Sequence, residues 1–192
     1  MARIPESGVP ARHVWESFFD ADAILDAFGA QRIVGDCIEF GCGYGTFALP
    51  AARRATGTVY ALDIDAAMVA CTAERARAAG LRNLVVELRD FGAAGCGRPA
   101  GSAQFAMLFN ILHGEAPIAL LEETWRALAP GGRVAVMHWR RDPATPRGPP
   151  LELRPSPADC ARWGEQAGLR SLGERRLAGA PWHFGLLLER PA

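Results

Sequence analysis

Apolar residues fall in short runs separated by amphipathic stretches. Residues 34–40 (VGDCIEF), 58–64 (TVYALDI), 84–88, 103–112 and 133–139 read as strands, and the run at 103–112 is nearly all apolar. Residues 46–55 and 66–79 read as helices. Ile118, Leu121, Trp125 and Leu128 are three or four positions apart, so they share one face of a third helix. Asp65 is placed to cap the helix over 66–79, and Gly80 to end it. Residues 92–102 predict a glycine-rich loop, and Pro130-Gly131-Gly132 ends the third helix. Almost continuously apolar strands alternating with helices imply a parallel sheet covered on both faces, with right-handed crossovers. The pattern predicts an α/β fold built on an open, doubly wound, mostly parallel sheet.

The two ends of the chain read differently. Residues 11–29 predict one or two helices carrying Trp15, Phe18 and Phe19 close together. Residues 140–155 hold five prolines and predict a loop. Ser156-Pro157-Ala158-Asp159 predicts a helix start, with Ser156 as cap, Pro157 at the first helical position and Asp159 completing a capping-box-like pair. Two more strand-like runs follow at 171–177 and 183–190. With 192 residues, no internal repeat and no linker, the chain predicts one domain over 1–192. Its divisions are an N-terminal helical lid (1–32), a core (33–139), and a loop, helix and two strands over 140–192.

Composition narrows the chemistry. The 21 basic residues balance 21 acidic ones, which disfavours a nucleic-acid partner bound by bulk charge. Every basic residue is arginine. A chain without lysine has no Schiff-base lysine, no P-loop lysine and no Ser–Lys dyad. Five cysteines, odd in number and without a CxxC pair, suggest neither a disulfide framework nor a zinc ribbon. The N-terminal residues lack a signal-peptide core, and the longest apolar run is far short of the ~20 residues of a membrane span. The expected compartment is the reducing cytoplasm, with no membrane partner.

The candidate site begins at Glu39-Phe40-Gly41-Cys42-Gly43-Tyr44-Gly45, between a strand and a helix. Glycines there permit a tight turn and let a ligand approach the backbone. The dinucleotide fingerprint G-x-G-x-x-G is not complete, because Thr46 stands where the third glycine would fall. A tight turn alone would also account for the cluster. Asp63 closes the second strand 22 residues after Gly41, where a carboxylate can accept from both hydroxyls of a ribose. It could instead cap the next helix, although Asp65 is better placed for that.

EFGCGYG, VYALDID, Asp90-Phe91, FNILH and LAPGGRVAV, in this order over residues 33–139, resemble a class I S-adenosylmethionine-dependent methyltransferase acting on small molecules. The resemblance implies a Rossmann-like, seven-stranded sheet whose last strand is antiparallel, with the runs at 171–177 and 183–190 as strands six and seven. It implies S-adenosylmethionine as cofactor and S-adenosylhomocysteine as product. Gly41, Cys42, Gly43, Tyr44 and Gly45 would hold the methionine moiety, and Glu39 would orient the loop or the ammonium group. Asp63 would bind the ribose, Ile64 would pack on adenine, and Asp90 and the Phe91 N–H would meet the adenine edge. Asn110 and Ile111 would line the reactive end.

Methyl transfer from a sulfonium is an in-line displacement with an activated leaving group, so positioning can do most of the work and no metal is required. A base matters only where the acceptor must lose a proton. His113, just past the fourth strand, is the candidate base, and a structural role is its alternative. Trp15, Phe19, His138, Trp139 and His183 are candidates for the substrate side, with core packing the alternative for Phe18 and Phe19 and a structural hydrogen bond the alternative for the histidines. The absence of an Asn/Asp-Pro-Pro-aromatic motif after the fourth strand disfavours amino-methylation of nucleic acids or glutamine. The absence of an added substrate domain favours a small-molecule acceptor. Two alternatives remain: a nicotinamide-dependent oxidoreductase, and a non-catalytic cofactor-binding protein of the same fold.

Overall fold

A computed structural model describes residues 10–142 and 145–192. The predicted lid therefore has residues 1–9, and the proline-rich loop residues 143 and 144, outside the described residues.

Seven strands form one sheet in the order β3-β2-β1-β4-β5-β7-β6. They are β1 (Asp36–Phe40), β2 (Val59–Asp63), β3 (Leu84–Leu88), β4 (Ala103–Phe109), β5 (Leu128–Trp139), β6 (Arg170–Arg175) and β7 (His183–Glu189). The first five pair in parallel. β7 runs antiparallel to both β5 and β6, as the resemblance implied.

The helices sort onto two faces by the alternation of each strand. Cys37, Ala61, Phe105, Met107, Ala135 and Met137 point to a core shared with α2 (Ala21–Ala27) and α3 (Ala48–Arg54). α4 (Ala66–Ala78) adds Ala76 to it. Ile38, Phe40, Leu62, Ala106, Leu108, Val134 and Val136 point to the opposite core, shared with α5 (Phe91–Ala94), α6 (Pro117–Ala127) and α7 (Pro157–Gln166). Burial on both faces is what a parallel sheet requires, and it explains why the strands read as apolar runs.

Local signals act as expected at several ends. The Asp65 side chain accepts from Ala67 N at 2.7 Å. Gly80, at φ +67°, follows the end of α4 in the left-handed region. Ser156 and Asp159 form a complete capping box: Asp159 N donates to Ser156 Oγ and Ser156 N to Asp159 Oδ2.

Four expectations are corrected. The fourth strand ends at Phe109, because Asn110 turns the chain with φ +58°. The predicted 92–102 loop opens inside a short helix, α5, capped by Asp90 through Ala93 N. The third helix ends at Ala127, before the Pro-Gly-Gly segment; Leu128 pairs with Ala103 and begins β5, and Pro130 and the two glycines form an irregularity within that strand. Gly131 N donates to Arg190 O and Arg190 N to Gly132 O, so the sheet claims this segment. Lastly, the N-terminal region is not a lid throughout. α1 (Arg12–Glu16) is separate from α2, whose Ile24 and Leu25 are fully buried. Phe28, just past α2, stacks on Phe109 at 5.7 Å, so α2 packs into one core.

Candidate active site

β1 leads to β2 and β3 on one side, while the chain re-enters at β4 and continues to β5 on the other. The carboxyl ends of β1 and β4 therefore flank the point where strand order reverses, which is where open α/β sheets place ligands.

The glycine loop sits there. Gly41, Gly43 and Gly45 all have positive φ (+76°, +51° and +74°). A Cβ on Gly45 would lie 2.5 Å from Leu49 Cδ1 and 2.7 Å from Thr72 Cγ2, so the close approach assigned by the fingerprint to a third glycine occurs here. Thr46 beside it is buried. A Cβ on Gly43 would meet nothing within 4 Å, leaving this part of the loop open to a ligand. Gly43 N donates to Asp63 Oδ2 at 2.8 Å and Thr72 Oγ1 donates to Gly43 O at 2.7 Å. Cys42 is buried, and burial raises its thiol far above the ordinary range, so it stays protonated.

Asp63 also accepts from Asp65 N at 2.9 Å, so one carboxylate ties the glycine loop to the start of α4. Its pKa is raised by burial, against the pull of these donors. Glu39 is more deeply buried, and burial followed by the nearby Asp63 raises its pKa well above the carboxylate range. Its Oε2 has no hydrogen-bond partner among the described residues. Across the switch point, Asn110 holds a left-handed backbone, and both polar atoms of its side-chain amide are buried without partners among the described residues. A strained residue with an unsatisfied buried amide signals a site prepared for something else.

The neighbouring ends form an apolar cleft of about 150 Å³ lined by Asp90, Phe91, Ile111 and Pro117, among others. Ile64 remains 58% exposed at the end of β2, unusual for an isoleucine beside a core.

The histidines and aromatic residues occupy the β5–β7 side. His113 Nδ1 lies 3.1 Å from His138 Nε2, and His138 Nδ1 lies 3.3 Å from Trp139 O. His138 is fully buried and engaged with His113, so its contribution to a substrate surface is indirect. Burial pushes its pKa down to about 3, and that of His183 likewise to about 3, with Arg154 a second cause at His183. Trp139 packs on His183 at 4.1 Å and Phe18 at 5.6 Å. Phe19 meets His183 at 5.0 Å, Phe47 at 5.4 Å and Trp15 at 5.0 Å.

The segment around α1 is tied to the glycine loop as well. Tyr44 Oη donates to Pro10 O at 3.1 Å, and Arg75 pairs with Glu16 at 2.7 Å while donating to Tyr44 O. Trp15, Phe18 and Phe19 thus lie over this rim, half-buried. Arg75, Thr72, Phe47 and Arg154 were not singled out by the sequence, since each looks like an ordinary helix or loop residue there. Arg154 is buried in the 140–155 loop, where it donates to the carbonyls of Pro149, Arg140 and Arg147 and to Thr145 Oγ1.

A glycine loop, a carboxylate closing β2 and prepared polar groups at a topological switch match the site that the resemblance to class I S-adenosylmethionine-dependent methyltransferases implied. The family model described as a methyltransferase domain matches residues 37–132, half of the chain, and the chain belongs to this family. It is an S-adenosylmethionine-dependent methyltransferase. No curated protein matches it in sequence. Among solved structures it is similar to a SAM-dependent methyltransferase from Aquifex aeolicus, at 24% identity and TM-score 0.79, covering 97% of this chain and 96% of that one. It is similar to a geranyl diphosphate methyltransferase in complex with SAM, at 14% identity and TM-score 0.71, covering 98% and 95%. It is also similar to the [4+2]-cyclase SpnF, at 15% identity and TM-score 0.73, covering 100% and 87%. These likenesses establish the fold, and the cyclase illustrates that one fold can host different chemistry. Among the described residues no helix is long and apolar enough to cross a membrane.

Proposed function

We propose that this enzyme methylates a small-molecule acceptor seated between the glycine loop and the aromatic rim of β5 and β7, beneath α1. The observation that carries the reading is the pair of unsatisfied polar groups at the ends of adjacent strands, Glu39 Oε2 and the Asn110 amide. A cationic, hydrogen-bonding cofactor supplies what they lack. Glu39 would attract the ammonium end, and a nearby cation would lower its raised pKa again. Gly41 to Gly45 would hold the methionine moiety, Asp63 the ribose and Ile64 the adenine, with Asp90 at its edge; Ile111, expected at the reactive end, lines the same cleft as Asp90 and Phe91 and would instead join the adenine side. Asp63 can serve both the loop and a ribose because each carboxylate oxygen has two acceptor sites.

S-adenosylmethionine supplies an activated methyl group on a sulfonium. The protein's own contribution is to orient the acceptor, exclude water with the half-buried aromatic residues, and accept a proton at His113 where the acceptor must lose one. A geranyl diphosphate methyltransferase of similar fold supports a small, non-polymeric acceptor. The chain acts as one domain, with the α1 segment as the lid and 140–192 completing the substrate side. All five cysteines are free thiols, which supports a reducing cytoplasm.

The test is a turnover screen reading S-adenosylhomocysteine release against a metabolite panel, with calorimetry of cofactor binding. His113→Ala should leave cofactor affinity intact while turnover falls by about 10²–10⁴-fold. Unchanged turnover would remove His113 as base. Binding of NAD in preference to S-adenosylmethionine would overturn the reading as a whole.

A further inference from the structure

We propose that His183 selects the methyl acceptor by hydrogen-bonding an uncharged hydroxyl group on an otherwise apolar molecule. The inference rests on the reading of the aromatic rim as the acceptor's seat and adds the chemical class of that acceptor.

His183 opens β7 and pairs with Trp139, the last residue of β5, at the carboxyl rim of the sheet. Directly paired residues share a face, and by alternation Trp139 continues the face of Ala135 and Met137. Phe19 and Phe47 pack on that face too. Phe19 lies 5.0 Å from His183 and 5.4 Å from Phe47, and Phe47 stands two residues past Gly45. The ring of Phe19 therefore bridges the imidazole to the end of the glycine loop. Phe19 belongs to the segment joining α1 to α2. Where it withdraws with α1, the acceptor takes its place against His183.

His183 is 3% exposed, and both ring nitrogens are buried with no hydrogen-bond partner among the described residues. An unsatisfied buried polar group is costly, and a ligand that satisfies it removes the penalty. The surroundings decide which ligand group fits. Burial and then Arg154 disfavour a positive charge on the imidazole, so it is neutral, with one N–H and one lone pair. A hydroxyl both donates and accepts, so it complements either nitrogen in either tautomer. An ammonium can only donate, and it would enter the field of Arg154. A carboxylate can only accept, and Arg154 does not offer it a fork. Its guanidinium already donates to Pro149 O, Arg140 O, Thr145 Oγ1 and Arg147 O. A Cβ on Gly148 would lie 2.9 Å from both Arg154 Nη2 and Trp139 Cγ, so the guanidinium is close-packed against the indole. An ion buried here without a partner is far costlier than a hydroxyl. Trp139, Phe19 and Phe18 present rings to the apolar body of the acceptor.

The test uses the full-length protein with S-adenosylhomocysteine and probes built on one ring: benzyl alcohol, toluene, benzylammonium and benzoate. Affinities are read by NMR titration at neutral pH, with the indole signals of Trp139 and Trp182 marking occupancy of the rim. Benzyl alcohol should bind about tenfold more tightly than toluene, the worth of one good hydrogen bond, and more tightly than either ion. In His183→Phe, which keeps a ring, that preference should disappear while S-adenosylhomocysteine affinity stays the same. His183→Gln keeps a donor and an acceptor and should retain most of the preference. An ion that binds as tightly as the alcohol would overturn the proposal, as would the absence of any probe from the rim. So would a preference that survives in His183→Phe, the result expected if a buried water alone satisfies the imidazole. Failure of the proposed function shows separately, as a wild type that does not bind S-adenosylhomocysteine in calorimetry.

Discussion

Asp63 carries two duties on one carboxylate. Its oxygens accept from Gly43 N and Asp65 N, fixing the loop against α4. In the proposed function the same oxygens meet a ribose. Asp63→Ala should weaken cofactor binding by about 1.5–3 kcal/mol, the usual worth of hydrogen bonds to a charged group. Calorimetry decides it: a lower melting temperature with an unchanged dissociation constant would leave Asp63 only the structural duty. At this scale the sequence was informative where a residue's chemistry is local. Asp65 and Ser156 cap helices from their own neighbourhoods, and both were legible. The left-handed turn at Asn110 was not read, although asparagine is among the non-glycine residues that adopt it most readily, because the apolar run continues past it to Leu112 and reads as strand. Nor was the pairing of His113 with His138, which are 25 positions apart and meet only because β4 and β5 are neighbours.

At the scale of elements, amphipathicity announced that the N-terminal helices bury a face, without saying against what. The structure divides them. Ile24, Leu25 and Phe28 make α2 part of the core, whereas α1 is held by contacts to the glycine loop, chiefly Tyr44 to Pro10 and Arg75 to Glu16. Both contacts are partly exposed, and exposed ion pairs contribute little, so a lid motion is expected at α1, against the packing of Trp15 on Phe19, and not at α2. Hydrogen exchange with and without S-adenosylhomocysteine should show protection rising across residues 14–19 and staying constant across α2. Equal protection of residues 14–19 in both states would make α1 a fixed wall of the site. The same competition between local and tertiary forces explains the misplaced end of α6. Pro130 and two glycines mark a stop, yet Leu128 is fully buried in the sheet, and its pairing with Ala103 ends the helix earlier.

For the whole molecule, the buried titratable groups set how stability responds to acid. His138 and His183 have folded pKa values pushed down to about 3, whereas an unfolded histidine titrates near ~6.5. A depressed folded pKa means that the stabilisation is complete above about 6.5 and is lost as pH falls toward 3, because the unfolded chain takes up protons that the folded one refuses. At pH 5.5 each histidine costs about 1.4 kcal/mol, and the pair about 3 kcal/mol, against a typical total of about 5–15 kcal/mol. Glu39 and Asp63 act in the opposite direction. Their raised pKa values make the folded state bind protons more readily as pH falls, so the wild-type profile alone mixes the two effects. His183→Phe separates them. The position is lined by Trp139 and Phe19, which suit an aromatic ring, and among the described residues neither imidazole nitrogen has a hydrogen-bond partner to lose. Between pH 7.5 and 5.5, denaturant titrations should show the wild type losing about 1.4 kcal/mol more than this variant. Parallel profiles would mean that His183 takes up its proton in the folded state at an ordinary pH, and that the aromatic rim admits more water than its burial implies.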